Sequence, residues 1–75
     1  MRLIPLGANK TELHTNSGAV ILFSYQTPVA AQLPQGGHVR TSTKYSVTTS
    51  KHITQWLDGS SAEYVDQSII NELAA

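Results

Sequence analysis

Residues Arg40–Leu57 read RTSTKYSVTTSKHITQWL, and the change of period inside this stretch decides the fold. Taken with His38 and Val39, its first half alternates. Val39, Thr41, Thr43, Tyr45 and Val47 share one face, and His38, Arg40, Ser42, Lys44 and Ser46 share the other, as on a strand. Its second half repeats at helical spacing, with Ile53, Trp56 and Leu57 at i, i+3 and i+4. Thr48, Thr49 or Ser50 can cap that helix and Gly59 can stop it. A strand reaching about residue 47 therefore hands over to a helix over about 50–57.

Upstream, closely spaced turn signals separate short strands. Arg2–Leu6 reads as a strand at a sheet edge, because Pro5 cannot donate a ladder hydrogen bond. Thr11–Thr15 follows, with Leu13 on one face and Glu12 and His14 on the other, and Asn16-Ser17-Gly18 is a hairpin signal. Ala19–Tyr25, AVILFSY, is apolar on both faces, which fits a central strand covered twice or one that joins an oligomer interface. Val29–Leu33 is the next strand, and Pro34-Gln35-Gly36-Gly37 the next turn. Downstream, Ser60-Ser61-Ala62-Glu63 has the form of a capping box, and Ala62, Val65, Ile69 and Leu73 form an apolar stripe. The expected architecture is α+β: an antiparallel β-meander of about five short strands over 2–47, followed by a C-terminal helical hairpin over about 50–57 and 61–74. One small domain, 1–75, holds all of it.

The 40% hydrophobic content is that of a globular chain, yet burial only just offsets chain entropy in a domain of 75 residues. Domains this small gain stability from disulfides, metals or self-association. There is no cysteine, and His14, His38 and His52 lack zinc-type spacing, so no metal or cofactor is expected and a homo-oligomer is. The longest apolar run, Ala19–Phe23, is far too short to span a bilayer, so no membrane partner is expected and the protein is read as intracellular.

Zero net charge hides an uneven distribution. Residues 13–57 hold Arg40, Lys44 and Lys51 and no acid, whereas residues 58–75 hold Asp58, Glu63, Asp66 and Glu72 and no base. The middle is basic and the tail acidic, so the two are complementary within or between chains.

The basic middle is the best site candidate. The 50–57 helix would carry Lys51 and His52 near its start and Asp58 near its end, charges that oppose the helix dipole at roughly 0.3–1 kcal/mol each. A bound anion accounts for that choice: Thr48, Thr49, Ser50 and the first helical amides would donate, Lys51 and His52 would supply charge, and Arg40 and Lys44 would extend the site. The plainer reading is a Ser/Thr-rich strand with an ordinary hydroxyl cap and a solvated Lys51, and no Gly-rich phosphate loop is present. A His52, Asp58 and Ser50 catalytic set can be assembled on paper, as in almost any chain, so a non-enzymatic role is expected. Trp56, Phe23 and Tyr45 read as core.

With those residues in view, KYSVTTSKHITQWL resembles the signature segment of a family of very small, uncharacterised bacteriophage proteins. TELHTNSGAVILFSYQTPVAA resembles the first half of the same family, so the likeness covers most of residues 1–57. The resemblance implies a phage accessory protein acting in the host cytoplasm, and it carries no catalytic residues. The combined expectation is a binding protein for a phosphate-bearing ligand, either a nucleotide (host signalling nucleotides included) or a nucleic-acid backbone. The alternative is an inhibitor or adaptor that docks on a host protein through its sheet or its C-terminal amphipathic helix.

Overall fold

Short apolar segments between marked turns in the first 41 residues form five antiparallel strands that pair in chain order. They are β1 (Arg2–Gly7), β2 (Lys10–His14), β3 (Val20–Ser24), β4 (Thr27–Gln32) and β5 (His38–Thr41). The structure, a computed structural model, describes residues 2–75; Met1, the first residue of the expected 1–75 domain, lies outside them. The fold class is α+β, with a six-stranded, mostly antiparallel sheet and two helices, α1 (Val47–Leu57) and α2 (Gln67–Ala74).

The sixth strand, β6 (Glu63–Val65), pairs with β5 in parallel, Arg40 lying beside Tyr64 and Thr41 beside Val65. It replaces the first turn of the helix expected over 61–74, and the Ser60–Glu63 capping box does not form. Two physical preferences override the helical stripe. Tyr64 and Val65 are an aromatic and a β-branched residue suited to a pleated surface. The free edge of β5 also needs backbone partners, as the 2.8 Å bond from the Ser42 N–H to the Val65 carbonyl shows. The second helix therefore starts only at Gln67, after an extended Asp66 (φ −63°, ψ 147°).

Parallel neighbours need a crossover connection, and α1 provides it. The two helices consequently lie on opposite faces of the sheet rather than forming a hairpin with each other. On one face Leu13, Ile21, Ala31 and Val39, which follow one register row across β2 to β5, pack with Ile70 and Leu73 of α2. On the other, Leu22 and Ala30 of the adjacent row pack with Ile53 and Leu57 of α1. A bulge at Val29 lets two consecutive residues of β4, Val29 and Ala30, join this second core. The apolar character of both faces of 19–25 is thus accounted for within one chain.

The junction between β5 and α1 also differs from the sequence reading. The strand ends at Thr41, not near 47, because the Thr41 hydroxyl oxygen turns back to accept the Thr43 N–H at 3.1 Å. Ser46, in extended conformation, caps α1 by accepting the Thr49 N–H at 3.1 Å. The cap is therefore not Thr48, Thr49 or Ser50, and the helix starts one turn earlier than expected. Tyr45 and Val47, expected to face the core, are instead exposed.

Candidate ligand-binding cleft

Residue Arg40 projects from β5 on the face that α1 covers, in the same register row as Leu22, Ala30 and Tyr64. Ala30 is small and fully buried, so the guanidinium can lie back over the sheet. Its central carbon stands 4.7 Å from the centroid of the Tyr64 ring, a cation–π contact. Its Nε is buried and has no hydrogen-bond partner. A buried donor without an acceptor is costly, and a charged one more so.

Around Arg40 the 41–45 segment, the first turns of α1 and the Tyr64 ring enclose a cleft of about 310 Å³. Lys44 and Tyr45 come to it from the segment, and Ser50 and Ile53 from the helix. Neither Arg40 nor Lys44 has an ion-pair partner among the described residues; the one ion pair there joins His14 to Glu12 at 3.0 Å. No acid occupies the first turn of α1, so the positive end of that helix adds to the potential of the two basic side chains. Ser46 already takes the Thr49 amide, which leaves fewer helical N–H groups at the cleft than an uncapped start would offer.

Four of the seven residues expected at the anion site, Arg40, Lys44, Thr49 and Ser50, line this one cleft. Thr49 belongs to its wall only, because its hydroxyl bonds to Ser24 at 3.1 Å and to Ser46 at 3.2 Å. The other three are elsewhere. Thr48 is exposed on the outer side of the helix start. Lys51 is exposed too and borders a shallow groove with Val47, Thr54 and Gln55, which adjoins the cleft at Ser50. His52 is buried beneath the helix, its Nδ1 2.8 Å from the Ser24 hydroxyl. The periodicity explains the split: positions 51 and 52 are rotated away from position 50 once the helix is set by Ser46.

The cleft residues that sequence reasoning missed include the hydroxyls of Ser42 and Thr43 and, most informatively, the rings of Tyr64 and Tyr45. Tyr64 falls within the helix expected over 61–74, and Tyr45 within the expected core. The triplet Glu63-Tyr64-Val65, followed by Asp66 as a second potential N-cap, carried the signal for the first. The cap at Ser46 carried it for the second.

Beyond the cleft, the paper triad does not assemble as a hydrogen-bonded set, since His52 Nδ1 bonds to buried Ser24 and to neither Ser50 nor Asp58. His14 bonds to Glu12, whose other carboxylate oxygen accepts the Trp56 indole N–H at 2.7 Å. His38 stands edge-on to the Trp56 ring, 6.0 Å between centroids. No group of three or more potential metal ligands occurs among the described residues.

Residues 1–72 match DUF8033, a family of unknown function. The chain belongs to that family. The match spans all six strands and most of α2, so the cleft lies wholly within the DUF8033 region. No curated protein and no solved structure matches the chain. Within the described residues no helix is long and apolar enough to cross a membrane.

Proposed function

We propose that this chain is a small, non-enzymatic accessory protein that binds a phosphate-bearing ligand in the cleft between Arg40, Lys44 and Tyr64. The resemblance of its 1–57 segment to small phage proteins supports a phage origin and a role in the host cytoplasm. One observation carries the binding proposal: Arg40, whose Nε lies buried and unpartnered, shares a cleft with a second unpaired base, Lys44. A phosphate supplies the acceptors that such a guanidinium needs, in a geometry that Arg favours. Ser50 and the hydroxyls of Ser42 and Thr43 line the same cleft and can add directional bonds.

Isothermal titration calorimetry against a panel of nucleotides and oligonucleotides tests the site. Arg40→Ala and Lys44→Ala should each weaken binding by about tenfold or more, as expected for a charge-assisted hydrogen bond of 1.5–3 kcal/mol. Lys51→Ala should leave it unchanged. Equal losses at Lys51 and Arg40 would place the ligand elsewhere.

A second reading is docking on a protein, either a host protein or another copy of this chain. It is favoured by β1, an edge strand that exposes Leu3 and Leu6, and by Ile69 on the outer side of α2. The central strand β3 gives it no support, because α1 and α2 cover both its faces. Light scattering on the wild type and on Leu3→Lys, read with folding checked by circular dichroism, tests the self-association form. A monomer at all concentrations removes it.

A further inference from the structure

Resting on the phosphate-binding reading above, we infer that the cleft takes the terminal phosphate of a single aromatic-bearing small molecule, a mononucleotide, and not the internal phosphodiesters of a nucleic-acid strand. Charge supply sets the first limit. Arg40 and Lys44 are the two basic side chains at the cleft, which matches the charge of about −1.5 to −2 on one phosphate monoester. A strand needs cations that track its backbone from phosphate to phosphate, and beyond Arg40 and Lys44 no further base among the described residues lines the cleft. Lys51 and Lys10 lie outside it, Lys51 in the groove that adjoins the cleft at Ser50 and Lys10 bonded at 3.4 Å to Gln55 of that groove, and Arg2 lies on β1 at the far edge of the sheet.

The second limit is the acidic C-terminal segment. Asp66 follows β6 and is exposed, Glu63 pairs with Val39 in the row of the opposite sheet face, and the whole 58–75 segment contains no base. A polyanion that continues past β6 meets like charge at Asp66 with no base in the segment to offset it, whereas a ligand that ends inside the cleft does not. The third feature is aromatic surface. Tyr45 and Tyr64, 46% and 64% exposed, stand at the same cleft and offer ring faces for a base. The cleft volume of about 310 Å³ lies at the small end of sites for compact organic ligands.

The test is calorimetry at two salt concentrations with four probes: inorganic phosphate, adenosine, the set of nucleoside 5′-monophosphates, and a thymidine oligonucleotide with hydroxyls at both ends. At least one monophosphate should bind about tenfold or more tighter than both adenosine and inorganic phosphate, a difference near 1.4 kcal/mol. The oligonucleotide should bind no better than adenosine. Tyr64→Leu and, as a variant outside every strand and helix, Tyr45→Leu should together shrink the gap between monophosphate and inorganic phosphate while leaving phosphate binding in place. An oligonucleotide that binds as tightly as the monophosphates, with a steep salt dependence, overturns the terminal-phosphate inference and spares the phosphate site. Adenosine binding as well as its monophosphate overturns the inference too. No binding by any phosphate compound ends both.

Discussion

The Ser24 hydroxyl and the His52 imidazole meet at 2.8 Å between the sheet and α1, and both residues are buried. The contact is one link of a chain. Ser46 donates to Thr49, Thr49 bonds to Ser24, and Ser24 reaches His52 Nδ1. With Ser46 as the first donor, the hydroxyl protons can all point one way, Thr49 to Ser24 and Ser24 to His52 Nδ1, in the tautomer whose Nδ1 accepts. The chain links the cap of α1 to the sheet beneath it, and so fixes the wall of the cleft from below.

Ser24→Ala should therefore destabilise the fold more than a lone serine contact would suggest, since it strips a partner from both Thr49 and His52. We expect a loss of about 2–3 kcal/mol, from burial of unsatisfied polar groups. Urea titration followed by the fluorescence of Trp56, the only tryptophan, reads it directly because that ring lies on α1. A lowered midpoint with unchanged slope is the expected result. A midpoint within about 0.5 kcal/mol of wild type, the range typical of surface substitutions, would mean that the chain contributes nothing.

Ser46→Ala removes the side-chain cap of α1 and should cost about 1 kcal/mol. Thr48→Ala, at an exposed position within the first turn, should be neutral or slightly stabilising. The two melting temperatures should differ by about 4–8 °C for a domain of this size. The reverse order would restore the cap to Thr48.

Parallel pairing of β6 with β5 predicts slow exchange of the Ser42 amide, which donates to the Val65 carbonyl at 2.8 Å just past the end of β5. Its protection should exceed that of the Lys44 amide by at least about tenfold, as expected when exchange requires opening of the strand pair. Similar rates at the two amides would show that residues 63–65 are not held as a strand.

Five strands, their order and the α+β class were legible because the turns are marked and the segments between them are short and rich in apolar and β-branched residues. The sixth strand was not. Ala62, Val65, Ile69 and Leu73 satisfy a helical stripe, and only the backbone demand of the β5 edge, a non-local effect, selects the extended form for 63–65. The cleft was half legible. Arg40 and Lys44 stood out as bases without nearby acids, but Ser46 was read as a strand residue. That single misassignment moved the helix start by a turn, drew Lys51 and His52 into the site and hid Tyr45. The burial of His52 depended on Ser24, 28 positions away in sequence, which no local pattern announces.

The most direct test of the binding site is two-dimensional ¹H–¹⁵N NMR of the labelled protein titrated with a nucleoside 5′-monophosphate. The cleft predicts saturable shifts concentrated at the amides of Arg40 to Tyr45, Ser50 and Tyr64, with the Arg40 Nε–H signal among those that move. It also predicts that Arg40→Ala abolishes them at the same ligand concentration. Shifts centred on β1 or on the outer side of α2, or none at saturating ligand, would contradict the assignment of this cleft as the site.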